Sequence, residues 1–402
     1  MDSKRAFKFR VYPDSKRQSE IDERLVLAQK FYNGLLEKSI ASYKDGKADV
    51  SMAQFNRFVK EIIALDDAYL KLYSQTRCEI EYRLRKAYQN FFRRCKGAKG
   101  RKGFPRFKSR DRYNSLTYPQ DNGSFSIEKN RLRVSRIGTM HIELHRPIDG
   151  RIKTMTIKRE AKKYYAIFTT STERIVPVIK NTNAVGIDVG LKTFAVLSDG
   201  TAIQKSNFRK NTHKRIARWQ RIVARRKKGG HRRQKARERL AREYQTANNQ
   251  QNDYLHKTAN RLVNSGYTSF AMEKLQIHSM VKNHHLAKSI SDASWGRFRQ
   301  LLSYKAESAG MEVIEVNPKD TSRTCSDCGN VQDMPLSERT FLCGRCGMQK
   351  DRDYNASINI PRRATAGHAG SYAQGEDVRP QSEAVPEELR TYSANSRGSL
   401  GL

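Results

Sequence analysis

Acidic residues are the clearest shortage in this sequence. Only 41 aspartates and glutamates stand against 78 lysines and arginines, which leaves a net charge of +37 over 402 residues. An excess of that size asks for a polyanionic partner, because neutralising phosphates and releasing their counterions drives nucleic-acid binding. Long hydrophobic runs are missing too. None approaches the roughly 20 residues of a membrane helix, and the N-terminus lacks the apolar core of a signal peptide. Neither a membrane nor a secreted class is therefore expected, and a soluble protein of the cytoplasm or nucleoid is. Cysteine is sparse, six in all. Four of these form Cys-x-x-Cys units, which in such a compartment mean metal rather than disulfides; Cys78 and Cys95 stand alone and read as packing residues. No base-reading helix-turn-helix stands out. The length calls for two or three domains.

What is present centres on Val185-Gly-Ile-Asp-Val-Gly. Asp188 sits in an apolar run that reads as a buried strand, 185–189, followed by a second strand, 194–197, and the Asp199-Gly200 turn. A carboxylate in a buried strand is costly unless it is paired or holds a metal. The plain alternative is a strand-end aspartate bonded to backbone.

Upstream, residues 5–12 alternate, Phe7, Phe9 and Val11 against Lys8 and Arg10, as an edge-type strand ending at Pro13. Asp14 or Ser15 then caps a long amphipathic helix, and two further helical patterns carry Phe55, Phe58, Val59 and Ile62, then Ile80, Leu84, Tyr88 and Phe91. A basic glycine-rich stretch from Arg93 leads into Phe104-Pro-Arg-Phe-Lys-Ser-Arg, whose interleaved aromatics and cations suit stacking on bases. Alternating segments between Ser124 and Thr170 predict a small antiparallel barrel or an ordinary structural sheet, which the first strand can join. Residues 205–244 are helical, broken at Gly229-Gly230 and almost single-signed, so they predict a pair of helices lining phosphates. A helix end at 253–265, a strand reaching Glu273, a helix over 294–309 and a strand from Met311 complete an α/β pattern.

Cys325-Ser-Asp-Cys-Gly and Cys343-Gly-Arg-Cys-Gly bracket two tight turns, each followed by a glycine. Cys325, Cys328, Cys343 and Cys346 fit a closed tetrahedral Zn²⁺ site, structural because sulfur takes every position. In Asp351-Arg-Asp-Tyr-Asn-Ala either aspartate can cap a helix with Ala356, Ile358 and Ile360 on its apolar face. From residue 364 onward the chain reads as a disordered tail. Asp188, Glu273 and Asp353 are then candidates to hold a pair of Mg²⁺ ions, since hard oxygen ligands suit that ion and two such ions serve phosphodiester hydrolysis. With 41 acidic residues to choose from, spacing alone does not single these out.

In combination and in this order, Gly186-Ile-Asp-Val-Gly, the Glu273 strand, the double Cys-x-x-Cys insert and Asp351-Arg-Asp-Tyr-Asn-Ala resemble the TnpB (OrfB) proteins of bacterial insertion sequences. Phe104-Pro-Arg-Phe-Lys-Ser, Ser115-Leu-Thr-Tyr-Pro, Gly150-Arg-Ile-Lys-Thr-Met-Thr-Ile and Thr321-Ser-Arg-Thr-Cys extend the likeness over roughly residues 1–362. The resemblance implies an RNA-guided DNA endonuclease related to compact type V CRISPR nucleases. It would use a guide RNA from its own element and cut double-stranded DNA beside a short adjacent motif. The implied fold is multidomain: an RNase H-like (RuvC) α/β nuclease interrupted by a four-cysteine zinc ribbon, plus an OB-like N-terminal β-barrel with an inserted helical bundle. The boundaries expected are 1–13 for the first barrel strand, 14–98 for the bundle and 99–180 for the rest of the barrel. The nuclease then takes 181–320 with its basic insert at 205–244, the ribbon 321–349, the last nuclease segment 350–363 and the tail 364–402. The catalytic acids implied are Asp188, Glu273 and Asp353, holding Mg²⁺ or Mn²⁺, with structural zinc in the ribbon and a single protein chain sufficient per guide RNA. Lys274 after Glu273 departs from the family pattern. Two other readings stay open: a non-cleaving RNA-guided regulator, and a strand-transferring transposase.

Overall fold

The computed structural model describes residues 2–44, 51–97, 103–119, 123–173, 183–206, 208–335 and 337–373. The chain divides into two compact units, one running to Arg174 and one from Ile175 to Val378.

The first unit is built on β1 (Asp2–Tyr12), whose alternation buries Phe7, Phe9 and Val11 on one face. Three helices follow: α1 (Ser15–Lys44), α2 (Met52–Leu65) and α3 (Ser74–Cys95), with a 3₁₀ turn at Asp67–Lys71. Asp14 caps α1, its carboxylate accepting the Arg17 N–H at 2.7 Å. Their apolar stripes bury Ile21, Leu25, Phe31, Phe55, Ile62, Ile80 and Leu84 in the same core as the sheet. The sheet continues with β2 (Ser115–Tyr118), β3 (Phe125–Glu128), β4 (Arg131–Val134), β5 (Gly138–Glu143), β6 (Arg151–Glu160) and β7 (Lys163–Glu173). Its order is β2-β6-β7-β1-β5-β4-β3, antiparallel throughout.

Two expectations are corrected here, those for the first strand and for the two lone cysteines. β1 is central, paired with β7 on one side and β5 on the other, not an edge strand. A one-sided alternation marks a strand with one wet face but says nothing about its neighbours, and Pro13 lies beyond the ladder. Among the described residues the end strands β2 and β3 do not pair with each other, so the sheet curls without closing a ladder; Phe125 of β3 still meets Phe168 of β7, ring centroids 6.0 Å apart. Cys78 and Cys95 are exposed on α3 rather than packed.

The second unit holds β8 (Ala184–Val189), β9 (Ala195–Leu197), β10 (Ala202–Ile203), α4 (Phe208–Arg225), α5 (His231–Val263) and β11 (Ser269–Glu273). After these come α6 (Ile277–Met280), α7 (His284–Ala293), α8 (Trp295–Ser308), β12 (Glu312–Val316), the hairpin β13 (Thr340–Leu342) and β14 (Gln349–Asp351), and α9 (Arg352–Ala373). The five-stranded sheet runs β10-β9-β8-β11-β12, its first three strands antiparallel and β8, β11 and β12 parallel. One face packs on α5 and α8 through Val185, Ile187, Phe270 and Met272 against Leu255, Leu262, Phe298 and Leu302. On the other face Ala271 and Val316 meet Ile360 and Ala364 of α9.

α9 does not stop near Pro361. It continues to Ala373, so residues 364–373 are helical where an unstructured tail was expected, and the tail from 374 lies outside the described residues. Proline removes the N–H that would bond to the Ser357 carbonyl and crowds that carbonyl. Here the Ser357 carbonyl lies against β8: a Cβ on Gly186 would run into it and into the Pro361 ring. The burial of Ile360 and Ala364 on either side of Pro361 offsets the lost helical bond.

Candidate active site and zinc centre

Strand alternation decides where the acids go. On β8, Val185 and Ile187 face α5 and α8, so Gly186 and Asp188 face α9. On β11, Phe270 and Met272 take the first face and Ala271 the second, which sends Glu273 to the α9 side as well. The strands are parallel and in register, Ile187 opposite Met272, so Asp188 and Glu273 end neighbouring strands side by side. α9 begins over this edge. Asp351 caps it, one carboxylate oxygen accepting the N–H groups of Asp353 at 2.9 Å and Tyr354 at 3.1 Å. Capping by Asp351 leaves the Asp353 carboxylate free of that duty.

All three candidate acids are half-buried, sheltered enough to lose hydration and open enough to meet a ligand. Burial pushes the Asp188 carboxyl well above its ordinary range, and the charges of Glu273 and then Asp353 push it further. Burial also raises Glu273, against a hydrogen bond from Thr321. Asp353 rises through burial and the nearby Asp351 charge, with Arg339, Arg352 and Lys192 pulling the other way. Arg339 lies 3.8 Å from the Asp353 carboxylate. Three hard oxygen donors that repel one another in a partly dry setting are a donor set that a divalent cation such as Mg²⁺ or Mn²⁺ satisfies.

The sulfur centre is tighter. Among the described residues, the Cys325, Cys328, Cys343 and Cys346 thiols are the one group of potential metal ligands lying within 4.8 Å of one another. Cys325 and Cys346 sulfurs are 3.7 Å apart and those of Cys328 and Cys343 3.6 Å. Four sulfurs about 2.3 Å from a tetrahedral zinc stand roughly 3.8 Å from each other, so the site fits Zn²⁺ with little movement. Two equivalent turns build it. Gly329 donates its N–H to the Cys325 carbonyl at 3.0 Å, Gly347 to that of Cys343 at 2.9 Å, each glycine at positive φ, 75° and 73°. Backbone N–H groups of Cys346 and Arg345 lower the Cys343 thiol, while hydrogen bonds among the sulfurs raise that of Cys346, so the four thiols share their protons unevenly.

Sequence reasoning missed the polar stripe that joins the two centres. Arg352, Asn355 and Asn359 recur at helical spacing on α9, the pattern of a solvated face, yet all three are buried. Arg352 donates to the carbonyls of Pro335 at 2.8 Å and Glu338 at 3.4 Å, and to the Ser322 hydroxyl at 3.3 Å. A polar stripe flanking an apolar one on a helix next to a metal motif was the available signal.

The expected nucleic-acid contacts sort unevenly. Phe104 is a packing residue, its ring edge-on to Tyr88 at 5.4 Å and Phe91 at 5.2 Å, whereas Phe107 is exposed. Most of the glycine-rich stretch before them, residues 98–102, lies outside the described residues. α4 and α5 form the basic helical pair, with Arg218, Arg221, Arg225, Lys227, Lys228, Arg232, Lys235, Arg239 and Arg242 all exposed. Ile216, Ala236 and Ala247 are buried, and Arg215 pairs with Glu243 at 3.1 Å. The cations therefore face outward by construction. No described helix is long and apolar enough to cross a membrane.

A Streptomyces pristinaespiralis protein named "Putative RNA-guided DNA endonuclease" is 31% identical over 392 residues, 94% of this chain and 93% of its own length. The chain belongs to the TnpB (OrfB) family. Two family models match parts of it, that of the IS605 OrfB "Probable transposase" over residues 167–284 and that of the Cas12f1-like TNB domain over 295–360. The InsQ protein of Escherichia coli (strain K12), carrying the same description, is 29% identical over 382 residues, 90% of this chain and 92% of its own. Among solved structures, a Cas12f1–sgRNA–target DNA complex contains a chain with a TM-score of 0.56 at 14% identity, covering 90% of this chain and 99% of that one. This TnpB protein shares the fold of a compact type V nuclease, mixed α/β with a cysteine cluster.

Proposed function

We propose that this protein is the RNA-guided DNA endonuclease of a transposable element, acting in the bacterial cytoplasm on double-stranded DNA beside a short adjacent motif. The observation that carries the reading is the near-full-length identity to a relative named for that activity. The site supplies the chemistry. Asp188, Glu273 and Asp353 would hold two Mg²⁺ or Mn²⁺ ions, and ions so held activate a water and stabilise the leaving oxygen of a phosphodiester. The strand order of the second unit, three antiparallel strands then two parallel ones with the first acid on the middle strand, agrees with an RNase H-like (RuvC) domain. The curled sheet of the first unit agrees with an OB-like barrel carrying the α1–α3 insert. The exposed cations of α4 and α5 neutralise backbone phosphates, and base pairing with the guide supplies specificity. One triad per chain makes a single protein per guide RNA sufficient.

The test is to express the protein with its native flanking DNA, purify it through high salt, and sequence the RNA that remains. One discrete species, followed by cleavage of a plasmid matching its variable segment, is expected; heterogeneous RNA, or no cutting of a matched plasmid, would overturn the reading. The description attached to one family model favours a strand-transferring transposase instead. That enzyme would leave target DNA joined to element ends, a product the same plasmid assay detects.

A further inference from the structure

Between the sulfur centre and the acids runs one short irregular segment, Thr321–Ser326, and buried side chains hold it at each end. Asn355, with no exposed surface, accepts the Ser326 N–H at 2.9 Å and donates to the Thr324 carbonyl at 2.8 Å. Asn359, also buried, donates to the carbonyls of Thr321 at 3.0 Å and Thr324 at 2.7 Å. Thr321 is 2% exposed, and its hydroxyl has two acceptors in reach among the described residues, the Glu273 carboxylate and the Pro318 carbonyl at 3.0 Å. The charged acceptor wins that competition.

These bonds form a closed circuit. Cys325 sits inside the segment, one residue before Ser326. Asn355 and Asn359 sit on α9, two and six residues after Asp353. Thr321 touches Glu273. An amide is suited to this task because it offers a donor and an acceptor in one plane, and Asn355 uses both on the two residues flanking Cys325. Ordinary satisfaction of an irregular backbone would account for bonds to Thr324 and Ser326. It does not account for the hydroxyl on Glu273, which ties the segment to a different element.

We propose that the zinc centre sets the geometry of the acids. Thr321, Asn355 and Asn359 act as positioning residues through which the four-cysteine turn holds Glu273 and Asp353 in the arrangement that binds divalent cations. This rests on the reading of Asp188, Glu273 and Asp353 as that cation site. Zinc then contributes to catalysis without touching substrate, and its loss is felt as weaker cation binding before it is felt as unfolding.

The experiment compares the wild-type ribonucleoprotein with T321V, T321S and C346S. One readout is the Mg²⁺ concentration that half-saturates single-turnover cleavage of a matched plasmid. A second needs no DNA: Fe²⁺ taken up by the site, with peroxide, cuts the nearby backbone, and the Fe²⁺ concentration that half-saturates this scission is read from tagged fragments. T321V should need about 10–100-fold more of either ion, as loss of a residue that orients a ligand does, while keeping one zinc per chain and its guide RNA. T321S, which restores the hydroxyl, should match wild type. C346S, which weakens the zinc site and touches none of the three positioning side chains, should shift in the same direction. Wild-type ion requirements in T321V and C346S would overturn the proposal. So would equal impairment of T321S and T321V, which would reduce Thr321 to packing. Failure of the underlying reading looks different: Asp188→Ala would then leave iron-directed scission and cleavage unchanged.

Discussion

The four-cysteine cluster and the proposed acid site of the second unit are built in opposite ways. The sulfur centre repeats one turn twice, Cys325 to Gly329 and Cys343 to Gly347, with matching backbone bonds and matching positive-φ glycines. Its ligands are local, so most of its geometry is written in their spacing. The proposed acid site takes Asp188 from β8, Glu273 from β11 and Asp353 from α9, residues far apart in the chain that come to one sheet edge because two strands pair in register and a helix docks over them. The first rests on its own two turns; the second needs the whole unit to exist. A local site fails by losing its ion, an assembled one by losing its frame.

That contrast can be broken at several points. The largest effect is expected from Asp188→Ala, which should slow single-turnover cleavage by at least about 10³-fold, the equivalent of several kcal/mol of lost charge stabilisation, while guide RNA stays bound. Cys325→Ser with Cys343→Ser should abolish stoichiometric zinc and, by loosening the segment that holds Glu273, reduce cleavage by about 100-fold or more; metal analysis of the purified complex checks the first half and the plasmid assay the second. Gly186→Ala attacks the frame alone. Its methyl meets the Ser357 carbonyl and the Pro361 ring, so calorimetry should find a loss of about 1–3 kcal/mol, with zinc retained.

A fourth prediction follows from the direction of the Asp188 shift. Its folded-state carboxyl titrates above its unfolded value, so the ionised group costs stability at every pH above the folded pKa and the cost fades as pH falls through it. In chelator, Asp188→Asn should therefore melt higher than wild type at pH 8, with the gap closing in acid; a gap independent of pH would mean the charge is not the cause. The smallest effect belongs to Arg218→Gln with Arg221→Gln on α4. Both centres should be untouched, and the salt slope of nucleic-acid binding should fall by about 1 for each phosphate contact removed.

How much of this was legible in the sequence depends on the same distinction between local and assembled. The four-cysteine turns, the break at Gly229-Gly230 and the helix at 294–309 were readable because their signals lie within a few residues. The acids could be named but not brought together, since register between β8 and β11 leaves no mark on either strand alone. Spacing alone left either Asp351 or Asp353 able to cap α9, and only the family resemblance chose Asp353 as the acid; the structure adds that two N–H groups converge on Asp351 as the cap. Pro361 misled because its cost is local and its compensation, Ile360 and Ala364 against the sheet, is not. Asn355 and Asn359 were passed over for the same reason: burial that comes from tertiary packing turns a polar stripe inward without altering its spacing.

The central place of β1 has a further consequence, for the order in which the molecule is made. Lys4 pairs with Ser171 and Val11 with Tyr164 and Ile142, so a strand synthesised early waits for partners that come far later. At ribosomal speeds of about 5–20 residues per second, the roughly 150 residues between β1 and β7 take on the order of 10–30 s. The helices α1 to α3, whose bonds are local, can form during that interval and cover Phe7, Phe9 and Val11 before the ladder exists. The inserted bundle shares one core with β1, so it is the part of the chain placed to pack on Phe7, Phe9 and Val11 before β7 is made.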